Sequence, residues 1–380
     1  MRQGSSKNKL LFDVVDFFSG CGGTSSGLKA SGASILLGID VDHDSAETFA
    51  ANFPEASFCE GDIRKLTTEV VALHIPKMRE RPLLFAGCAP CQPFSQQNRR
   101  AGSADDRTFL LLEFLRFIEA FSPELILVEN VPGLERFKMV TPFNDFTDRL
   151  GQLGYHAAWK VIDSRNFGVP QRRRRLVLIA SRLGPISFPN ATHGPGTDHP
   201  SYSTVREWIG HLPPIAAGEI HPHIPNHHSA SLKPINLQRI QSTPTGSGRE
   251  SWPEELIIEC HKDGYKGHMD VYGRMSWDAP AQGLTTRCTS LSNGRFGHPD
   301  QDRAISVLEA ALLQTFPSDF KFIGGMQSRS RQIGNAVPAL LAEQFGVHFK
   351  AHLESLATGY AAPGDLTLHS QSHQGRLKLG

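Results

Sequence analysis

Phe12-Asp-Val-Val-Asp16-Phe-Phe18-Ser-Gly20-Cys-Gly22-Gly23 opens on a run rich in apolar residues and closes on three glycines. The run Phe12 to Phe18 reads as a buried strand that ends in a turn. Glycines there let the backbone bend sharply and approach a ligand closely. Helical spacing from Thr24 to Ser31 places a helix N-terminus just beyond, with its free N–H groups and positive dipole end. The pattern is neither G-x-G-x-x-G nor a Walker A sequence, so alone it names no ligand.

Outward from that turn the alternation continues. Ser34 to Ile39, Leu83 to Gly87 and Glu124 to Val128 are further short apolar runs. Ser45 to Asn52 and Thr108 to Phe121 carry helical spacing, and Ser122-Pro123 stops the second of these. Near-continuous apolar strands suit a parallel sheet covered on both faces. Strands alternating with helices predict an α/β, doubly wound, Rossmann-like domain. Trp159 to Ile162 and Leu176 to Ile179 add two strands and close this domain near Arg182. From Pro185 to about Gly267 prolines, glycines and histidines are frequent and periodicity is weak, which predicts a smaller, loop-rich domain. Helical spacing returns at Ile305 to Leu313 and Val337 to His348. The expected division is 1–184, a small domain 185–326, a segment 327–357 returning to the first domain, and a flexible tail 358–380.

Composition narrows the class. No apolar run approaches the roughly 20 residues that span a bilayer. Met1 to Lys9 lacks the apolar core of a secretory signal, so a soluble cytoplasmic protein is expected. Six cysteines in 380 residues are too sparse for a disulfide framework, and reduced thiols are expected. A net charge of +1 provides no overall basic field, so any nucleic-acid surface must be local, built from clustered arginines.

Chemistry-bearing residues cluster at expected strand ends. Asp40 follows the second strand, where doubly wound folds place an acceptor for ribose hydroxyls, and Asp62 would follow the third. Together they favour an adenosine site without saying which adenosine compound. Gly87-Cys88-Ala-Pro90-Cys91-Gln92-Pro-Phe-Ser95 follows the next strand, with Cys91 pinned by a proline on either side and close to that pocket. Cys88 borders the strand and reads as an inert thiol. Cys88 and Cys91 form a C-x-x-C, but no second pair completes a zinc site and no helix follows as in a thioredoxin-like redox pair. Glu129, in Glu129-Asn130-Val131, emerges from a buried strand as a general-acid candidate with a raised pKa. In Gln171-Arg-Arg-Arg-Arg175 alternate residues share a face, so Arg173 and Arg175 project together while Arg172 and Arg174 face away. His193, His199, His211, His221, His223, His227 and His228 fit no zinc pattern, so no metal is expected and they read as DNA-facing or solvated. Trp252 and Tyr265 read as core packing.

Taken in order, these motifs resemble those of the cytosine-5 DNA methyltransferases of bacterial type, over nearly the full length of the chain. The matching blocks are Asp16 to Gly23, Pro90-Cys91-Gln92, Glu129-Asn130-Val131, Gln171-Arg-Arg173-Arg-Arg175, Arg303 to Pro317, and Gly334-Asn335-Ala-Val-Pro338. The resemblance implies S-adenosylmethionine as methyl donor and no metal. Phe18, Gly20, Gly22 and Gly23 would wrap its methionine end, Asp40 its ribose, and Asp62 with Ile63 its adenine, while Asn335 braces the cofactor side. Cys91 would attack C6 of a cytosine flipped out of double-stranded DNA. Glu129 would protonate or hydrogen-bond N3, and Arg175 would hold O2 with Arg173 in support. Gln92 to Arg107 would form a mobile loop closing over the base, with Gly102 as a hinge and Gln92, Ser95, Arg99 and Arg100 against the DNA. The small domain would read base edges in the major groove.

A monomer is expected, in a restriction-modification or epigenetic role, with a cognate restriction endonuclease as a partner that need not bind it. Leu83, Cys88-Ala89 and Leu308 depart from the family's common Asp, Gly-Pro and Arg. The first two touch strand packing, and the third removes a brace from the small domain. A tRNA cytosine-5 methyltransferase on the same scaffold is the competing reading, opposed by the sizeable variable region. A catalytically silent DNA-binding relative is opposed by intact Cys91, Glu129 and Arg175, and a nicotinamide-dependent dehydrogenase by the glycine spacing.

Overall fold

The computed structural model describes residues 12–89, 110–132, 142–196, 200–259 and 269–357. At its centre β1 (Asp13–Phe17), wholly buried, pairs in parallel with β2 (Ser34–Asp40) on one side and β4 (Leu83–Gly87) on the other. β3 (Ser57–Glu60) continues the sheet beyond β2, and β5 (Leu125–Asn130) beyond β4, both parallel. β8 (Arg174–Ser181) then runs antiparallel between β5 and β6 (His156–Asp163). The seven-stranded order is β3-β2-β1-β4-β5-β8-β6. The antiparallel pair has a simple cause. Only a short link, Ser164 to Arg173, joins β6 to β8, whereas a parallel return needs a long crossover.

Alternating residues of the strands feed two apolar layers, as the pleat requires. Val14, Leu84, Leu127 and Val177 face one layer, and Val15, Phe85, Ile126 and Leu178 the other. The first layer is covered by α1 (Gly23–Ala30) and α10 (Ala339–Ala357), the second by α4 (Leu110–Phe121) and α5 (Pro142–Gln152). Leu83, one of the departures from the family, joins the second layer as buried core. α1 and α10 touch so closely that a Cβ on Gly27 would lie 2.0 Å from the Ala339 carbonyl oxygen. α2 (His43–Asn52) and α3 (Thr68–Ala72) link the first strands.

Beyond the sheet, two short helices, α6 (Val205–Ile209) and α7 (Pro234–Gln241), stand among loops. α8 (Val307–Leu313) and α9 (Met326–Asn335) lead back to α10. A two-stranded parallel pair, β7 (Gln171–Arg172) with β9 (Ala281–Gln282), ties the arginine-rich segment to this loop-rich part. No helix of the described residues is long and apolar enough to cross a membrane.

Candidate active site at the carboxyl edge of the sheet

The glycine turn hangs from the end of β2. Ser19 N–H donates to the Ile39 carbonyl at 3.0 Å, and Gly20 N–H to Asp40 Oδ2 at 2.8 Å. Asp40 Oδ1 accepts from Val41 N–H at 2.7 Å and Asp42 N–H at 3.0 Å. Burial raises the Asp40 carboxyl, and these backbone donors work against that rise. Phe18 is held at φ 57°, a left-handed conformation that bulky residues rarely adopt, and such strain persists where the surroundings enforce it. Gly22 caps α1 at φ 94°, and a Cβ there would lie 2.4 Å from the Phe53 ring. In front of Gly20 there is open space, with nothing within 4 Å of a built Cβ. Gly23 packs under the Val337 carbonyl, so the turn is clamped from behind by the chain after α9.

The two residues expected near an adenine both have protein partners. The Ile63 side chain is buried in the core rather than turned outward, and its carbonyl accepts from Arg116 Nη2 at 3.0 Å. The Asp62 carboxylate is gripped by Arg64, whose Nε lies 3.0 Å from both oxygens, and this contact lowers its pKa. Asn335 ends α9 with its side chain exposed.

Glu129 and Arg175 come together at the ends of β5 and β8. Arg175 Nε stands 2.7 Å from Glu129 Oε1 in an ion pair that is off the line of a hydrogen bond, so Oε1 keeps its capacity for another partner. Arg175 Nη1 donates to the Arg174 carbonyl at 2.8 Å, which fixes the guanidinium. β5 carries on to Asn130, past the expected end at Val128, because β8 supplies an antiparallel neighbour for both added residues. Asn130 is a residue that motif reading passed over. Its buried Nδ2 donates to the Ala89 carbonyl at 3.1 Å and its Oδ1 accepts from Val131 N–H at 2.7 Å. It thereby anchors the strand exit two residues before Cys91. Burial, then the Glu129 and Asp16 carboxylates, push the Cys88 thiol well above its ordinary pKa, so it stays protonated and a poor nucleophile.

Arg173 faces inward, but both terminal nitrogens of its guanidinium are bonded to backbone, while its buried Nε has no hydrogen-bond partner among the described residues. The terminal nitrogens donate to the carbonyls of Leu284 at 2.9 Å, Gly334 at 3.2 Å and Ala336 at 3.1 Å. Burial and the neighbouring Arg175 charge pull it down to about 9, so it remains charged at neutral pH. Arg173 therefore braces the wall of the site instead of pointing into it beside Arg175. Gln171 does similar work, receiving Leu284 N–H at 2.9 Å and donating to the Leu313 carbonyl and to Gln314.

The loop-rich part has its own buried brace. Arg303, wholly buried, forks onto Glu309 with both nitrogen–oxygen distances at 2.7 Å. Ser306 and Glu309 complete a capping box at the start of α8. Leu308, where the family commonly has Arg, packs into the core, and Arg303 carries the charge that braces this helix. His227 is neither DNA-facing nor solvated as expected: it is buried between the Ser306 hydroxyl at 3.0 Å and the Pro213 carbonyl at 2.8 Å, because both ring nitrogens find partners inside the protein. Among the described residues no three His, Cys, Asp or Glu side chains gather as a metal site. Trp252 packs edge-on against Tyr272 and donates to the Thr243 hydroxyl at 2.8 Å.

Cys91, Gln92, Ser95, Arg99 and Arg100, the expected loop Gln92 to Arg107, His199 and Tyr265 lie outside the described residues.

Comparison with known proteins places this arrangement. The family model for C-5 cytosine-specific DNA methylases matches residues 12–350. The Type II methylase M.HgiDII of Herpetosiphon aurantiacus is 42% identical over 90% of this chain and 96% of its own. The Type II methyltransferase M1.HphI of Haemophilus parahaemolyticus is 32% identical over 87% and 84%. Among solved structures, a candidate DNA modification methyltransferase encoded within an E. coli prophage shares the fold, with TM-score 0.72 at 21% identity over 90% of this chain and 99% of that one. The chain belongs to the C-5 cytosine-specific DNA methylase family and is a DNA cytosine-5 methyltransferase of bacterial type.

Proposed function

We propose that this enzyme methylates C5 of a cytosine flipped out of a specific duplex DNA sequence, through a covalent bond between Cys91 and C6. The reading is carried by one observation: the Glu129–Arg175 pair sits at the carboxyl edge of the sheet, where Asn130 ties the chain leading to Cys91. C5 of cytosine is a poor nucleophile. Addition of the Cys91 thiolate at C6 makes C5 an enamine carbon able to take a methyl group. As the sulfur bonds, electron density moves toward N3 and O2 of the ring. A proton or hydrogen bond from Glu129 at N3 and the Arg175 guanidinium at O2 stabilise that charge. Loss of the C5 proton to a base then re-forms the double bond and expels the Cys91 sulfur.

The turn suits S-adenosylmethionine, since open space lies in front of Gly20, beside the Asp40 carboxylate and the N-terminal end of α1. When bound, that cofactor supplies an electrophilic sulfonium methyl group. Phe18, Gly20, Gly22 and Gly23 would hold its methionine end and Asp40 its ribose, with Asp62 and the backbone at Ile63 near the adenine and Asn335 bracing from the side. The contacts of Arg173 make it a positioning residue for the wall behind Arg175. The region 185–326 is the target-recognition part, and Gln92, Ser95, Arg99 and Arg100 approach the DNA.

Bisulfite or nanopore mapping of DNA from cells expressing the chain tests this reading. It should show 5-methylcytosine at one recurrent sequence. Methyl transfer to tRNA in place of duplex DNA would overturn it.

A further inference from the structure

We propose that Arg172 and Arg174 form a phosphate-binding pair on the rim of the site, holding the sugar–phosphate backbone of the duplex; this rests on the DNA reading above. The segment from Gln171 to Arg175 alternates strictly in burial. Gln171 and Arg173 are buried, whereas Arg172 and Arg174 are exposed. The inward pair is bonded to protein groups, Arg173 through both terminal nitrogens and Gln171 through its amide. The outward pair has no ion pair or side-chain hydrogen bond among the described residues.

Their location points to a function. β8 is antiparallel to β5, so it begins where β5 ends, and Arg174 lies just past the Asn130–Leu176 register. Arg172 and Arg174 therefore lie on the stretch of chain that enters β8 beside Arg175, on its solvent-exposed side. An acid is available nearby but is not used. Asp163 is the cross-strand neighbour of Arg174, yet Arg165 claims its carboxylate through Nε at 3.1 and 3.2 Å and Nη2 at 2.7 Å. Other exposed arginines do find acids, as Arg331 finds Asp42 at 2.8 Å and Arg206 finds Asp278 at 2.7 Å. In a chain of net charge +1, two adjacent unneutralised guanidinium groups make a local positive site.

Alternate residues on extended backbone are about 7 Å apart, so two side chains can meet separate phosphates of one strand. Guanidinium groups bind phosphate in a forked, bidentate manner. Contacts of this kind set position and affinity without reading sequence.

Fluorescence anisotropy of the full chain with a labelled duplex, across a salt series, tests the pair. Arg172→Ala/Arg174→Ala should lower the slope of log Kd against log salt by about 1.8, about 0.9 for each phosphate released. Target and non-target duplexes should weaken alike, and Arg172→Lys/Arg174→Lys should retain most of the slope. S-adenosylmethionine binding, measured alongside, should match wild type and so show that the fold is intact. An unchanged salt slope in the alanine variant, with wild type binding DNA normally, overturns the pair alone. Absence of salt-dependent duplex binding by wild type overturns the DNA reading and the pair with it.

Discussion

Replacing Arg303 by Met removes the cation from a buried ion pair while keeping most of the side-chain volume. Arg303 is wholly buried and Glu309 is 1% exposed, so Arg303→Met leaves a carboxylate with no water to solvate it. Hydrogen bonds from Arg303 to the Ile215 and Ala304 carbonyls, each 3.0 Å, are lost as well. Breaking such a pair from one side costs about 3–5 kcal/mol, which for a chain of 380 residues is a fall in Tm of about 4–6 °C. The pH dependence has a definite sign. In wild type burial pushes the Glu309 carboxyl up, but the Arg303 hydrogen bonds and charge outweigh burial and hold it below the usual range. Its contribution is therefore present at neutral pH and lost only as acid protonates it. In the variant burial acts unopposed by Arg303, so the folded pKa lies above the unfolded one. The penalty is then largest at alkaline pH and shrinks as pH falls through that raised value. His298 offers no substitute charge, because burial drives its pKa down to about 4. Differential scanning fluorimetry from pH 5 to pH 8 reads both effects. A Tm difference below about 2 °C at pH 7.5, or one that does not narrow toward pH 5, would refute the reasoning.

Three other substitutions probe the site and its support. Glu129→Gln should lower kcat by about 10²–10³-fold while the S-adenosylmethionine Kd stays unchanged, since it weakens a donor to developing charge; single-turnover methylation with a saturating duplex measures this. Asp40→Ala removes the acceptor that holds Gly20 N–H at 2.8 Å and should weaken S-adenosylmethionine binding at least about 10-fold by calorimetry, a loss of about 1.4 kcal/mol. Gly27→Ala pushes a methyl group to 2.0 Å from the Ala339 carbonyl oxygen, so α1 and α10 must separate. Thermal melts of that variant should show a loss of about 1–3 kcal/mol.

The sequence was most informative where local chemistry decides the structure. β4 was legible to the residue because Leu83 to Gly87 is a buried apolar run between turn residues. The glycine turn was legible because only glycine tolerates the backbone of Gly22 against Phe53. The antiparallel direction of β8 was hidden, since strands buried on both faces look alike whichever way they run. α9 was missed for a different reason. Met326–Asn335 is a polar helix whose Ser328, Ser330 and Gln332 are nonetheless buried, so its apolar periodicity is weak. In the site, alternation within Gln171 to Arg175 correctly separated inward from outward arginines. It did not reveal that Arg173 ends on three backbone carbonyls, because those come from residues more than a hundred positions away.

Covalent capture tests the chemistry most directly. Incubated with S-adenosylmethionine and a duplex carrying 5-fluorocytosine at the mapped target, the enzyme should form a denaturation-resistant protein–DNA adduct. Peptide mapping should place the bond on the sulfur of Cys91, because fluorine at C5 cannot leave as a proton does. A preparation that methylates ordinary duplex yet yields no adduct, or an adduct through another residue, would contradict the assignment.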